Sequence, residues 1–146
     1  MTAGGVLPPD WAVPTITPLN EAWFTSGALA IQRCASCGTR QHPPEEVCHS
    51  CLGRSFTHDE VAPTGTVYSY TVVHHAATGA LASSVPYTVV LVSLDEAPEV
   101  RVVGNLLEDA SVVGGVRIGM PVVAEWEQRV AEDGREVLLP QWRAAS

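Results

Sequence analysis

Hydrophobic and polar residues alternate through most of the C-terminal half of the chain, a pattern typical of β-strands. The runs are rich in β-branched and aromatic residues. They predict strands at Thr66–His74, Tyr87–Leu94, Val100–Leu107, Pro121–Val130 and Glu136–Leu139. Five strands within about 80 residues fit a small closed Greek-key barrel, and we expect an OB-fold, with a small β-sandwich as the alternative.

Two of these runs predict different surroundings. Pro121–Val130 predicts a half-buried strand with a solvent-facing outer side, because apolar and charged residues occupy opposite faces. The apolar face comprises Val122, Ala124, Trp126 and Val130, and the charged face comprises Glu125, Glu127 and Arg129. Tyr87–Leu94 is apolar on both faces and must be covered on both.

The N-terminal part has a different pattern. Residues 1–16 are rich in Pro and Gly, lack periodicity, and predict an extended or disordered arm. Thr17 and Pro18 are suited to the N-cap and first position of a short helix, which Gly27 would end. Such a short helix must dock Trp23 or a neighbour to persist.

A short strand containing Leu29, Ile31 and Arg33 leads into two Cys-x-x-Cys pairs, with His42-Pro43-Pro44 as the loop tip between them. The pairs contain all of the cysteines in the chain, namely Cys34, Cys37, Cys48 and Cys51. This spacing predicts a four-thiolate zinc ribbon, because each pair can bring two sulfurs to one tetrahedral zinc ion.

The zinc is expected to be structural, with one ion per chain, since four thiolates close its coordination shell. Two disulfides would require an oxidising compartment, and redox chemistry of a Cys-x-x-Cys pair is a further alternative. The N-terminal residues have neither the basic nor the apolar part of a secretory signal, which favours the metal. We expect Gly38 and Gly53, which follow the pairs, to turn the backbone at positive φ.

Composition narrows the class of protein. The net charge is −8, and all eight basic residues are arginine. An acidic chain argues against nucleic-acid binding, and the absence of lysine excludes a lysine Schiff base. No apolar run reaches the length of a membrane span. We therefore expect a cytoplasmic protein without membrane or nucleic-acid partners.

With these elements in order, the chain resembles the acyl-CoA-associated proteins that join a helix, a rubredoxin-like zinc ribbon and an OB-fold (domain of unknown function 35). The resemblance covers about residues 18–143 and departs from the family pattern at Glu96-Ala97-Pro98. Besides the two cysteine knuckles, the matching segments are Glu21–Gly27, Gly65–Thr71, Pro86–Glu96, Ile118–Val122 and Leu139–Arg143.

The resemblance implies a mainly β chain with an extended arm at 1–16, the helix and zinc ribbon at 17–53, and the five-stranded OB-fold at 54–146. It also implies an accessory subunit that is not an enzyme alone and forms a hetero-oligomer with a thiolase-like protein. Such complexes include thiolases, acyltransferases and retro-aldolases that shorten sterol side chains in steroid degradation. Acyl-CoA is a candidate ligand of the complex.

Two groups of residues are candidates for ligand chemistry. His74 and His75 precede the small-residue loop Ala76–Val85 and could contact substrate or act as a base, as in a free-standing enzyme, or could be ordinary polar residues at a strand end. Arginines of the ribbon could bind the phosphates of coenzyme A or be solvated surface charges. These arginines are Arg33, Arg40 and Arg54.

Tyr68 and Tyr70 are predicted to share one strand face. Aromatic residues so placed stack on bases in OB-folds that bind single-stranded nucleic acid, which is the alternative function. The acidity of the chain favours core packing or a protein interface instead.

Overall fold

The computed structural model describes residues 8, 11–107 and 115–145, and they are mainly β. A short helix, α1 (Glu21–Thr25), precedes a three-stranded sheet and a closed five-stranded barrel. The sheet comprises β1 (Leu29–Cys34), β2 (Arg40–Gln41) and β3 (Phe56–Val61), and the barrel comprises β4 (Thr64–Val73), β5 (Tyr87–Leu94), β6 (Arg101–Leu106), β7 (Pro121–Val130) and β8 (Glu136–Ala144). Neighbouring barrel strands follow the order β4-β5-β6-β8-β7, so the prediction of a closed five-stranded barrel is confirmed. Among the described residues, no helix has the length and apolar character that crossing a bilayer requires.

Helix α1 begins later than predicted. Thr17 and Asn20 bond to each other, with the Thr17 N–H 2.8 Å from Asn20 Oδ1 and the Asn20 N–H 3.3 Å from Thr17 Oγ1. These bonds close a separate turn, so regular helix starts only at Glu21. Gly27 follows the helix with a φ of +68°, as expected for a C-terminal glycine. Trp23 is buried and joins the hydrophobic core.

Strand β3 was not predicted from the sequence. It pairs antiparallel with β1, from Cys34 opposite Phe56 to Leu29 opposite Val61. Because β3 lies at the edge of the sheet order β2-β1-β3, most of its side chains face solvent. An edge strand of this kind shows no alternation of apolar and polar residues, and the pattern along Phe56–Val61 is therefore uninformative.

The barrel interior is filled by branched side chains and one tryptophan. Strand β5 alternates between fully and partly buried positions. Its inner residues are Thr88, Val90, Val92 and Leu94. The outer face of β5 is only half-buried, with Val89 facing a groove beside α1, so the second covering expected for this strand is incomplete.

The buried face of strand β7 differs from the prediction. Val130 is 67 % exposed, whereas Glu127 is only 2 % exposed, the reverse of the expected burial. Glu127 is accommodated because Arg129 Nε donates to its Oε2 at 2.7 Å and Gln141 Nε2 donates to its Oε1 at 3.2 Å. Val130 lies at the end of the β7–β8 hairpin, opposite Glu136 and beside the arm residues 11–16, which leave most of its side chain exposed.

Strand β8 continues beyond the predicted end at Leu139 and includes Pro140. On its β6 side, β8 pairs only at Trp142, opposite Leu106. The Pro140 carbonyl points toward β6, since it would lie 3.2 Å from a Cβ added at Gly104. The N–H that proline lacks would point to the same side, where β8 makes few bonds to its neighbour. A proline is tolerated where no ladder bond is made.

The described part of the N-terminal arm is attached to the β7–β8 hairpin. Arg129 Nη1 donates to the Pro8 carbonyl at 2.8 Å, and the Ile16 side chain is buried. Residues 11–16 contain no helix or strand, consistent with an extended arm, while 1–7 and 9–10 lie outside the described residues. The domain limits at 16/17 and 53/54 stay predictions.

Candidate metal centre and binding surfaces

The four cysteine sulfurs meet at one point. Each Sγ lies within 4.8 Å of the others, and the Cys34–Cys51 and Cys37–Cys48 pairs are each separated by 3.6 Å. Tetrahedral zinc with Zn–S bonds of about 2.3 Å requires sulfurs about 3.8 Å apart. The four thiols therefore fit a zinc ion, as their spacing in the sequence predicts.

The two knuckles share one backbone conformation. The Gly38 N–H donates to the Cys34 carbonyl at 2.9 Å, and the Leu52 N–H donates to the Cys48 carbonyl at the same distance. The donor residue has positive φ in each knuckle, +77° at Gly38 and +65° at Leu52. The expectation was thus right for Gly38 and wrong for Gly53, because Leu52 makes the second turn.

Gly53 is required for a different reason. A Cβ at this position would lie 3.2 Å from Cys51 Sγ and 3.4 Å from Cys34 Sγ. The glycine therefore leaves room for the sulfurs around the metal rather than providing a left-handed turn.

Replacing Leu52 with glycine should stabilise the zinc-loaded protein by about 1 kcal/mol, because a non-glycine residue in the left-handed region costs about 1–2 kcal/mol. The Leu52 side chain is 73 % exposed, so little apolar contact would be lost. Urea unfolding measures the difference. Gly38→Ala is the matched control and should destabilise, and equal or lower stability of Leu52→Gly would contradict the prediction.

In the absence of metal, neighbouring groups shift the pKa values of the cysteine thiols in opposite directions. The Thr39 hydroxyl, 3.2 Å from Cys37 Sγ, and the Thr39 N–H lower the pKa of Cys37 to about 6. The Gly53 N–H lowers the pKa of Cys51, but the thiols of Cys34 and Cys37 outweigh it and the pKa rises to about 12. The Cys51 thiol thus retains its proton until a cation replaces it, which couples zinc binding to proton release.

Two buried glutamines hold the loop between the knuckles. Gln32 Nε2 donates to the Glu45 carbonyl at 2.8 Å, and Gln41 Nε2 donates to Gln32 Oε1 at 2.8 Å. Gln41 Oε1 accepts the His49 N–H at 3.0 Å. These bonds satisfy the backbone of a loop without regular structure. Their role could not be predicted from the sequence, because glutamine on a short strand is ordinarily a surface residue.

The turn between β5 and β6 joins the ribbon to the barrel. Arg40 makes two hydrogen bonds of 3.1 Å to the Glu99 carboxylate, and Glu96 accepts the Ala62 N–H at 2.6 Å. Ala97 between them is completely buried. This turn is the Glu96-Ala97-Pro98 segment at which the sequence departs from the family pattern.

The three ribbon arginines have different surroundings. Arg33 and Arg40 are cross-strand neighbours, but each pairs with a carboxylate, Arg33 with Asp59 at 3.3 Å and Arg40 with Glu99. Arg54 is exposed and has no ion pair within the described chain. The structure therefore does not bring the three together as an open phosphate site.

His74 and His75 follow the end of β4 and are exposed. Over the described ranges, neither makes a hydrogen bond or an ion pair, and the following loop contains one 3-10 turn at Gly79–Leu81. A general base needs a partner that fixes its orientation and tautomer. The geometry of these histidines does not provide one.

The two tyrosines do not share a face as predicted. The ladder between β4 and β5 shifts register at Tyr68, so Tyr70 lies opposite Val90, an inner position of the barrel, although the Tyr70 side chain remains 42 % exposed. Tyr68 instead lies under the Arg101 guanidinium on the outer face, 3.8 Å from ring centroid to Cζ. The paired stacking surface that single-stranded nucleic acid would need is therefore not formed.

A mostly apolar groove of about 560 Å³ lies where α1, the loop tip and the barrel meet. Trp23 and His42 form its inner wall, with ring centroids 4.2 Å apart. Other lining residues include Leu19, Phe24, Pro43, Pro44, Val89 and Leu139. Burial lowers the pKa of His42 to about 4, so this histidine is neutral at pH 7.

Stability should decrease with acidity through His42. The unfolded chain binds a proton near the ordinary pKa of 6.5, whereas folded His42 does so only near 4, so the free energy of unfolding falls as the pH drops between them. Between pH 7 and pH 5.5 the loss is about 1 kcal/mol. Urea unfolding of wild type and His42→Phe at both pH values measures it. A fall of the same size in both proteins would refute the assignment.

The fold and the metal site define a zinc-ribbon protein joined to an OB-fold barrel. Residues 25–57 match the family described as "ChsH2, rubredoxin-like zinc ribbon domain", and residues 58–127 match "ChsH2, C-terminal OB-fold domain". The chain belongs to the ChsH2 family of domain of unknown function 35 proteins.

Individual relatives agree with this assignment. A solved chain of the "Ltp2-ChsH2(DUF35) aldolase" is 39 % identical with a TM-score of 0.73, the match covering 92 % of this chain and 100 % of that one. A domain of unknown function 35 protein of unknown function from Sulfolobus solfataricus shares the fold, with 18 % identity and a TM-score of 0.52 over 88 % of this chain and 86 % of that one.

A curated relative in Thermomonospora curvata has the name "Probable enoyl-CoA hydratase alpha subunit". It is 41 % identical over 135 residues, which cover 90 % of this chain. The present chain spans 39 % of that relative's length.

Proposed function

We propose that this chain is a non-catalytic accessory subunit that binds a thiolase-superfamily protein and helps to form an acyl-CoA-processing complex. The complex would be a thiolase, an acyltransferase or a sterol side-chain retro-aldolase. The supporting observation is its similarity, over the full length of the solved chain, to the ChsH2 component of a two-protein aldolase. In this proposal the catalytic groups belong to the partner, since the cysteines serve the metal and both candidate histidines lack an orienting partner among the described residues.

Co-expression with candidate thiolase-superfamily proteins from the same organism tests the proposal. The two proteins should elute together in size-exclusion chromatography as a hetero-oligomer. The zinc-loaded chain alone should show no aldolase or thiolase activity, and activity should require both proteins. Separate elution with every candidate thiolase-superfamily partner would refute the proposal.

We further propose that the complex uses the groove beside α1 to contact the acyl part of acyl-CoA. Its volume of about 560 Å³ lies within the usual range for small-molecule sites, and Trp23, Phe24 and Leu139 give it apolar walls. Arg33 and Arg40 are engaged by carboxylates and only Arg54 lacks an ion pair among the described residues, so the ribbon arginines form no joint phosphate site. Recognition on this chain would therefore concern the acyl chain rather than the nucleotide.

A comparison of the affinities for octanoyl-CoA and free coenzyme A tests this role. Octanoyl-CoA should bind the zinc-loaded chain more tightly, by about 0.8 kcal/mol for each methylene that the groove buries. Leu139→Asp should remove the difference, while Val130→Asp, at an exposed position outside the groove, should preserve it. Equal affinity of wild type for both ligands would exclude acyl contact by this chain.

A further inference from the structure

Large apolar side chains are exposed together on one side of the barrel. Tyr68 on β4 is 51 % exposed, Val103 on β6 is 62 % exposed and Ile118, just before β7, is 68 % exposed. We call this set, together with Arg101, the barrel patch; Val103 also lines the groove beside α1, so the patch borders that groove. Isolated exposed apolar residues are common, but a contiguous group usually marks an interaction site.

The strand ladder makes the patch contiguous. Leu91 on β5 pairs with Val103 on one side and with Ser69, the neighbour of Tyr68, on the other. All of these residues lie on the outer face, since the alternating positions of β5 point into the barrel. The Ile118 segment joins the same surface, because Gly119 N–H donates to the Val67 carbonyl at 2.8 Å.

The charge of the patch differs from that of the whole chain. Although the net charge is −8, Arg101 lies over the Tyr68 ring, and neither Arg101 nor the exposed Arg117 has a carboxylate partner within the described chain. Most other arginines are already paired with acids on this chain. They are Arg33, Arg40, Arg129, Arg135 and Arg143.

We propose that the barrel patch is the docking surface for the thiolase-superfamily partner, and that it fits an apolar area of the partner bordered by carboxylates. This inference rests on the proposed function. Tyrosine and arginine are enriched among residues that dominate protein interfaces, and a guanidinium held on an aromatic ring is already ordered before binding. The two arginines without carboxylate partners supply the charge complementarity that an acidic border on the partner would meet.

The chain offers a matched control for this proposal. Val130 is 67 % exposed but lies at the tip of the β7–β8 hairpin, outside the patch, and closely matches Val103 and Ile118 in exposure. Val103→Glu, Ile118→Glu and Val130→Glu should therefore differ in partner binding and not in stability. Arg101→Gln removes only a charge and tests the electrostatic part even if a glutamate variant fails to fold.

Affinity for the thiolase-superfamily protein that co-elutes with this chain is measured by titration calorimetry without acyl-CoA, at low and high salt. Val103→Glu and Ile118→Glu should weaken binding at least tenfold, Val130→Glu less than twofold, and Arg101→Gln should reduce the salt dependence. Unchanged melting temperatures show that the folds are intact. Sedimentation of the isolated chain tests whether a second copy binds the patch. A labelled single-stranded oligonucleotide tests whether nucleic acid does.

The outcomes separate the two proposals. Wild-type binding that no patch variant weakens would refute the docking surface and leave the accessory function standing. Absence of wild-type binding would refute both. A homodimer or an oligonucleotide complex that the patch variants disrupt, with partner binding retained, would also refute the docking surface.

Discussion

Cys48→Ser should abolish stoichiometric zinc binding and unfold the ribbon. The Cys48 side chain is completely buried, with its Sγ 3.6 Å from Cys37 Sγ, so serine would leave three thiolates and a hydroxyl at a closed metal site. Structural zinc contributes about 10–16 kcal/mol in zinc-finger peptides, which equals or exceeds the total stability of about 5–15 kcal/mol of a typical domain. Loss of one zinc ligand is therefore expected to destabilise the protein more than any other single substitution in this chain.

The damage should extend beyond the ribbon. Trp23, Leu29 and Ile31 belong to the same buried cluster as the barrel valines, so the ribbon and barrel share one core. Unfolding the ribbon would expose the barrel residues that it covers. Far-ultraviolet circular dichroism should therefore show a lowered melting temperature for the whole protein, in addition to local loss of structure.

Metal analysis by mass spectrometry checks the prediction, with about one zinc ion expected per wild-type chain and well below one for Cys48→Ser. Ser50→Ala is the matched control in the same knuckle. The Ser50 N–H, not its hydroxyl, approaches Cys48 Sγ at 3.4 Å, so this variant should keep its zinc. Native wild-type protein that contains no zinc and melts at the same temperature after chelation would contradict the assignment.

The metal site could be predicted because its chemistry is local. Two Cys-x-x-Cys pairs determine which sulfurs can reach one ion, whatever surrounds them. The backbone detail was less predictable. Leu52 rather than Gly53 makes the second left-handed turn, because the residue directly after the second cysteine of the pair must donate to the carbonyl of the first. The conformational preference of glycine alone suggested the wrong residue.

Strands with a clear hydrophobic pattern were predicted well. The limits of Tyr87–Leu94 and Pro121–Val130 agree with the structure, because both runs are rich in β-branched and aromatic residues and are bounded by turn residues. Strand β3 at Phe56–Val61 was missed, since this edge strand buries only Val61 fully and its sequence does not alternate between apolar and polar residues. The continuation of β8 through Pro140 was missed because it depends on which side of the strand lacks a neighbour.

Polar residues that are buried by tertiary partners could not be predicted. Gln32 and Gln41, which hold the knuckle loop, are buried in this way. Each would be solvent-exposed by composition alone, and only the position of a distant donor or acceptor makes its burial favourable. Glu127 is the most pronounced example of this kind.

Glu127→Ala should cost about 3–5 kcal/mol, because it breaks a buried ion pair by removing one of its members. The Glu127 side chain is 3 % exposed and that of Arg129 is 13 % exposed. Gln141 would also lose the acceptor for its Nε2 at 3.2 Å. Arg129 Nη1 holds the Pro8 carbonyl at 2.8 Å, so release of the guanidinium should also loosen the arm.

Glu125 on the same strand provides the matched control. Its carboxylate accepts from Arg143 Nε at 2.6 Å, but the Arg143 side chain is 40 % exposed, so Glu125→Ala should cost less than about 1 kcal/mol. Urea unfolding of both variants gives the comparison, and limited proteolysis of the arm should accelerate only for Glu127→Ala. The double variant Glu127→Met with Arg129→Met should recover much of the lost stability, because it removes both charges together. Equal losses of stability in Glu125→Ala and Glu127→Ala would contradict the prediction, because burial of the Glu127 ion pair would then have no measurable effect.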